Sequence, residues 1–213
     1  VTSTGCAMPV LISCKVISSS LRRFWAARRP ARTVCSAPDQ PAGAANVAIR
    51  YAAYGSNLHP VRLGERLPSA RLLGPGFLAG YELEFHKRSQ DKSGKCSISP
   101  GGSGVHVAVY EISVADKQRL DEIEGVGRGY ADAVVDVPGF SDCSTYRAEH
   151  AFVDDGLKPY EWYRELGLLG CRFHGFPDSY IARIEAVGSI EDPDAGRQQR
   201  RRRLLEKIRP TLR

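Results

Sequence analysis

The stretch IRYAAYGSNLHP, Ile49 to Pro60, decides how the rest of the chain is read. Its first half is apolar and β-prone; it then stops at Tyr54-Gly55-Ser56-Asn57, four residues rich in hydrogen-bonding groups. A strand ending in a turn accounts for that composition, because glycine, serine and asparagine are turn formers. A loop whose backbone N–H groups bind an anion accounts for it equally, since Gly55 lets the backbone approach a ligand and successive amides can form a concavity.

Outward from this stretch, the body is strand-rich first and helical later. Val47–Tyr54, Phe77–His86 and Val105–Ile112 read as strands with one buried face. The run KRSQDKSGKCSISPGGSG between the last two is polar and glycine-rich and reads as a long mobile loop. Ser113 offers an N-cap with Asp116 completing a short capping box; VADKQRLDEIE follows as a helix, and Gly125 ends it. Ala131–Val137 and Ser144–Val153 read as strands on either side of a turn-like PGFSDC. Pro159–His174 and Pro177–Val187 read as helices, the first with Trp162, Leu166, Leu169 and Phe173 on its apolar face.

At 213 residues, 42% hydrophobic and 25% charged, the chain fits one globular domain with extensions. The formal charge of +6 is uneven. Residues 1–46 carry six basic residues against Asp39, and residues 195–213 carry eight against Glu206, which leaves 47–194 at −6. The basic balance therefore sits in the ends, and net charge alone is no argument for nucleic acid. Residues 1–46 are basic, rich in Ser, Ala and Pro, and without period. They read as a disordered extension outside the fold: a transit peptide, a stretch upstream of the native start, or a flexible arm. Residues 195–213 read as a basic helix or tail, and Arg200–Arg203 as its solvated end; with no aromatics between the arginines to stack on bases, nucleic acid is a poor fit.

The six cysteines and five histidines show no C-x-x-C and no paired spacing, so no metal site is expected, and free thiols point to a reducing, cytoplasmic setting unless residues 1–46 direct the chain to an organelle. No segment reads as crossing a membrane. A serine hydrolase built on Ser56 lacks the G-x-S-x-G turn, and His59 reads as a surface residue.

YAAYGSNL at Tyr51–Leu58, LDEIEGV at Leu120–Val126 and PYEWYRELGLLGCRFHGFPDSYIARIEAV from Pro159 together resemble the γ-glutamylcyclotransferase family over about residues 47–190. The resemblance implies an α+β domain over 47–194, a small mixed β-barrel with flanking helices. It also implies an enzyme that needs no cofactor, acts on a small γ-glutamyl substrate and exists as monomer or homodimer. In that family the substrate's α-amine attacks its own γ-carbonyl, giving 5-oxoproline and a free amine or amino acid. Glu124 matches the catalytic glutamate; Tyr54, Gly55, Ser56, Asn57 and Leu58 match the substrate loop; Tyr130 resembles the tyrosine after the E-G-V segment. Asp121 and Glu122 read as solvated acids. Where some members place a further tyrosine in the next strand, Ala151 or Phe152 stands here. A γ-glutamylamine substrate, a γ-glutamyl-protected intermediate, or a binding module with a basic tail are the competing readings.

Overall fold

A computed structural model describes residues 48–211, so the readings made of residues 1–46 lie outside the described residues. Seven strands and five helices follow one another as β1 (Ala48–Ala53), α1 (Pro60–Arg66), β2 (Arg71–Leu78), β3 (Tyr81–Arg88), β4 (Gly94–Pro100), β5 (Val105–Ser113), α2 (Val114–Glu124), β6 (Tyr130–Val137), β7 (Phe140–Ala148), α3 (Glu161–Phe173), α4 (Asp178–Glu185) and α5 (Ala195–Ile208). The class is α+β, with a five-stranded mixed sheet in the order β2-β5-β1-β7-β6 and a separate β3-β4 hairpin. β1 lies at the centre, antiparallel to β5, with Tyr51 opposite Tyr110, and parallel to β7, with Tyr51 opposite Ser144. The sheet curls until its edge strands meet: a Cβ added at Gly76 of β2 would lie 2.3 Å from Val137 Cγ1 of β6.

Several local readings are corrected. Phe77–His86 is two strands, because Gly80, at φ 75°, turns the chain between β2 and β3. The supposed loop after His86 continues β3 to Arg88 and supplies β4, which pairs antiparallel with it. Serines that looked like loop residues are spent inside the fold, Ser97 Oγ accepting the Ala148 N–H at 2.8 Å, while Cys96 and Ile98 between them are buried. The strand expected at Ser144–Val153 begins earlier, at Phe140, and gives way at His150–Phe152 to a 3-10 turn. Ser113 caps α2 as expected, its Oγ accepting the Asp116 N–H at 3.1 Å, but Asp116 turns to Ser69 rather than back to Ser113.

α1 had no counterpart in the sequence reading, and its cap explains why. His59, read as a surface residue, is fully buried. Its Nδ1 accepts the Val61 N–H at 3.2 Å, replacing the usual Ser or Asp, and Pro60 occupies the first turn. Nε2 then carries the proton and donates to Thr211 Oγ1 at 2.9 Å. At the other end of the chain, Leu204, Leu205 and Ile208 of α5 enter the core, so the basic segment is packed against the body. Its first turn is held by Asp192, whose fully buried carboxylate receives a bidentate Arg197 (2.5 and 2.6 Å), Trp162 Nε1 (2.8 Å) and the Asp194 N–H (2.9 Å). Burial works to raise that carboxyl, but Arg197 and the other donors hold it down at about 2.

Burial lowers His59 from 6.5 to about 4, helped by His174 nearby. Between those values the unfolded chain binds a proton that the folded chain does not, so stability falls as pH drops from about 6.5 towards 4, by at most roughly 3 kcal/mol. His59→Asn keeps the cap and removes the titration. Urea midpoints at pH 7 and pH 4.5 should differ less in this variant than in the parent, with a residue of the slope left by His174, which burial also lowers; equal slopes would overturn the assignment.

Candidate active site

The turn opened by β1 is tight, with the Leu58 N–H donating to the Gly55 carbonyl at 3.0 Å. The Leu58 carbonyl in turn accepts from Tyr110 OH (2.6 Å) and His174 Nε2 (2.8 Å), and its side chain is fully buried against Gly170 of α3, where an added Cβ would sit 2.4 Å from Leu58 Cβ. Leu58 therefore anchors the loop rather than lining a site. Gly55 is small for a reason other than the one expected: its Cβ would stand 3.0 Å from Cys96 Cβ and 3.2 Å from Cys96 Sγ on β4. Among the described residues the N–H groups of Ser56 and Asn57 have no hydrogen-bond partner, which leaves two adjacent donors in the turn.

Glu124 is brought to this turn by geometry. β5 runs antiparallel to β1, so α2, leaving the end of β5, starts beside the start of β1 and runs back along it. Eleven helical residues span about 16 Å, close to the length of a six-residue strand. The last of them is Glu124, stopped there by Gly125 in the left-handed region, whose N–H returns to the Asp121 carbonyl. Glu124 Oε1 accepts from Asn57 Nδ2 at 3.0 Å and from Arg66 at 2.9 Å, while Arg66 also donates to Asn57 Oδ1 at 2.8 Å. Both donors use Oε1; among the described residues Oε2 has none. Asn57 is thus a positioning residue, 4% exposed, with its amide divided between Glu124, Arg66 and Tyr51.

Five tyrosines close around the carboxylate. Tyr51, Tyr54, Tyr130, Tyr146 and Tyr163 line a water-sized inner cavity of about 20 Å³ together with Glu124. Tyr54 OH donates to the Tyr146 carbonyl and Tyr130 OH to the Cys96 carbonyl, each at 2.6 Å; Tyr163 OH accepts the Cys96 N–H at 3.2 Å. Burial first, and then neighbouring groups of the same cage, pushes all five phenols above their ordinary range, so they stay neutral. Burial likewise pushes the Cys96 thiol up to about 12, far from a reactive thiolate.

Of the residues singled out from sequence, Tyr54, Gly55, Ser56, Asn57, Glu124 and Tyr130 meet in one cavity, and Leu58 stays outside it. Asp121 is not a solvated acid: it accepts from Tyr146 OH at 2.7 Å and Lys117 at 2.5 Å, and so fixes the sheet-facing side of α2, whereas Glu122 is exposed. Ala151 and Phe152 lie in the 3-10 turn; the phenol from this part of the chain is Tyr146. Arg66, Tyr146, Tyr163 and Cys96 were missed. Each comes from a different element, with no local pattern tying it to the turn. Ser56 has no histidine base, because His59 faces Thr211. Elsewhere, Glu84, His86 and Asp155 hold possible metal-ligand atoms within 4.8 Å of one another, as an ion-pair cluster with Asp155 exposed. Among the described residues no helix is long and apolar enough to cross a membrane.

Among solved structures, the chain is similar to a gamma-glutamyl cyclotransferase at 24% identity, covering 75% of this chain and 99% of that one with a TM-score of 0.66. The chain has the γ-glutamylcyclotransferase-like fold. Uncharacterized protein loc79017 from Homo sapiens is similar at 27% identity, over 67% of this chain and 89% of that one, with a TM-score of 0.60. YkqA from Bacillus subtilis is similar at 20% identity over 68% of this chain and 56% of that one, with a TM-score of 0.58. No family model and no curated protein sequence matches the chain.

In this γ-glutamylcyclotransferase-like fold the contact between turn and helix is measurable. A double-mutant cycle of Asn57→Ala and Glu124→Ala, followed by urea unfolding, should give a coupling of about 1.5 kcal/mol, the lower end of the net worth of a hydrogen bond to a charged group. Strict additivity would mean that the two side chains do not meet.

Proposed function

We propose that the protein is a γ-glutamylcyclotransferase, releasing 5-oxoproline and a free amine from a γ-glutamyl compound. The observation that carries this reading is the half-clamped carboxylate: Glu124 is oriented through Oε1 by Asn57 and Arg66, while Oε2 has no hydrogen-bond partner among the described residues, in a cavity that Ser56 and Asn57 also line. A cyclisation needs that division of labour. The substrate's α-ammonium must give up two protons on its way to the lactam N–H, its nitrogen must bond to the γ-carbon, the bond from that carbon to the leaving nitrogen must break, and the leaving nitrogen must gain two protons to depart as an ammonium. Oε2 relays them one at a time, as base to the attacking nitrogen and then as acid to the leaving one, so the protons balance and no co-reactant is needed.

The N–H groups of Ser56 and Asn57 suit the oxyanion that forms on the γ-carbonyl. The neutral tyrosine cage has room only for a water-sized group, so the glutamyl chain bends towards a five-membered ring at its mouth, where Ser56, Glu124, Tyr130 and Tyr163 line both cavities. Free, buried Cys96, Cys143 and Cys171 suit a reducing compartment, and we place the activity in the cytoplasm.

Incubation of the protein with γ-glutamyl-alanine, γ-glutamyl-ε-lysine and glutathione should release 5-oxoproline from at least one of them. Glu124→Gln preserves the hydrogen bond from Arg66 and removes the base; turnover should fall by about 10²- to 10⁴-fold. Near-parental turnover in this variant would sink the role of Glu124, and no product from any of the three with folded protein would sink the reaction.

A further inference from the structure

Outside the tyrosine cage lies a second cavity, of about 430 Å³, which shares Ser56, Glu124, Tyr130 and Tyr163 with the inner one. Glu124 stands where the two meet and the inner cavity is only water-sized, so a γ-glutamyl compound that reaches Glu124 has its leaving group in this outer chamber. The walls of this outer chamber are unusual in charge. Arg66, Lys95 and Arg197 line it and are each paired, with Glu124, Asp91 and Asp192 respectively. Arg62, Lys87, Arg128 and Arg201 line it too, and among the described residues none of the four has a carboxylate within ion-pair distance.

These four come from four different places, α1, β3, the loop after α2 and α5, so no single helix accounts for the convergence. Two of them are buried: Arg62 and Lys87 are each 7% exposed. The Nε groups of Arg62 and Arg201 are buried with no hydrogen-bond partner among the described residues. Burial, and then the charges of Arg66 and Arg201, lower Arg62 to about 9; burial also lowers Lys87 and Arg201, the latter with help from its arginine neighbours. Like charges gathered in a half-closed cavity repel one another and lose hydration, and an anion bound among them reverses both effects. The remaining acid on this wall, Glu122, is exposed and carries a single charge.

We propose that the outer chamber selects γ-glutamyl compounds whose leaving amine carries at least two negative charges, such as an acidic amino acid or a short acidic peptide. The inference rests on the cyclisation reading for the placement of the leaving group, and on the four unpaired cations for its charge. Arg62 and Arg201 offer unused N–H donors for carboxylate oxygens, Lys87 adds a charge held above the Tyr130 ring at 4.5 Å, and Arg128 stands exposed at the mouth.

Three substrates separate the possibilities: γ-glutamyl-ethylamide, γ-glutamyl-alanine and γ-glutamyl-glutamate, whose leaving amines carry no, one and two carboxylates. Release of 5-oxoproline should show KM falling about tenfold for each added carboxylate at low salt, the size of one charge-assisted hydrogen bond, with the differences shrinking in high salt. Calorimetric binding of the same three compounds to Glu124→Gln should follow the same order. The double variant Arg62→Gln/Arg201→Gln should lose most of the step between the alanine and glutamate conjugates. Arg128→Gln, at an exposed site where folding is not in question, should lose part of it. Equal binding of the alanine and glutamate conjugates would overturn the charge selection whatever the turnover. Charge-ranked binding without 5-oxoproline from any substrate would overturn the cyclisation and leave the selection standing.

Discussion

The site depends on β1 ending in the middle of the sheet. β1 is a central strand, paired with β5 up to Ala53 opposite Ala108 and bridged to β7 at Tyr51, so its end is held more firmly than that of an edge strand. The turn that follows inherits this rigidity. It is then pinned a second time, where the Leu58 carbonyl takes hydrogen bonds from β5 through Tyr110 and from the end of α3 through His174. Three elements distant in sequence thus hold four residues whose own composition would make a mobile turn. Catalytic geometry on a loop requires this kind of external support, because Ser56 and Asn57 have no regular structure to lock them.

The antiparallel pairing of β1 with β5 has a second effect. It obliges the helix that leaves β5 to travel back beside β1, and only its length then decides which residue arrives at the turn. Asp121, one turn earlier, sets the rotation of that helix through Tyr146, and Leu120 is fully buried beside it. Glu124 is therefore positioned by helix length, by the left-handed stop at Gly125 and by a buried tyrosine, none of which hydrogen-bonds its carboxylate. Arg66 completes the arrangement from the last turn of α1, where the helix dipole favours a cation.

What was legible in the sequence was what is local. The Tyr54–Asn57 turn, the cap at Ser113 and the stop at Gly125 are each written in a few adjacent residues, and it was the resemblance of YAAYGSNL and LDEIEGV to one family that joined the turn to Glu124. What was hidden is contributed across the fold. Tyr146 and Tyr163 are single aromatics in a strand and a helix with ordinary core patterns, and Arg66 sits in a helix whose cap is a histidine. β4 was hidden by composition: its serines and glycine satisfy hydrogen bonds and close contacts inside the fold, as Gly94 does by donating to the Lys158 carbonyl at 2.9 Å. Polar character marks a loop only where the polar groups face water.

Charge gives the sharpest case of the same limit. The body from 47 to 194 carries a net −6, yet the cavity beside Glu124 is walled by cations, because segment totals ignore which side chains converge. Arg197 and Arg201 belong to the basic end of the chain; the buried Asp192 fastens the first turn of α5 to Trp162 and Arg197, and Leu204, Leu205 and Ile208 pack the rest of the helix into the core. Once docked, α5 shows Arg197 and Arg201 to the cavity and leaves Arg200, Arg202 and Arg203 exposed. A half-closed cavity with low-dielectric walls concentrates the field of such cations, so the arginines that α5 adds to Arg62, Arg66, Lys87 and Arg128 of the body outweigh, locally, the acidic surplus spread over the body's surface. The local field at the carboxylate is thus a property of how α1, β3 and the loop after α2 meet the docked last helix, and the buried Asp192 sets the share that α5 contributes.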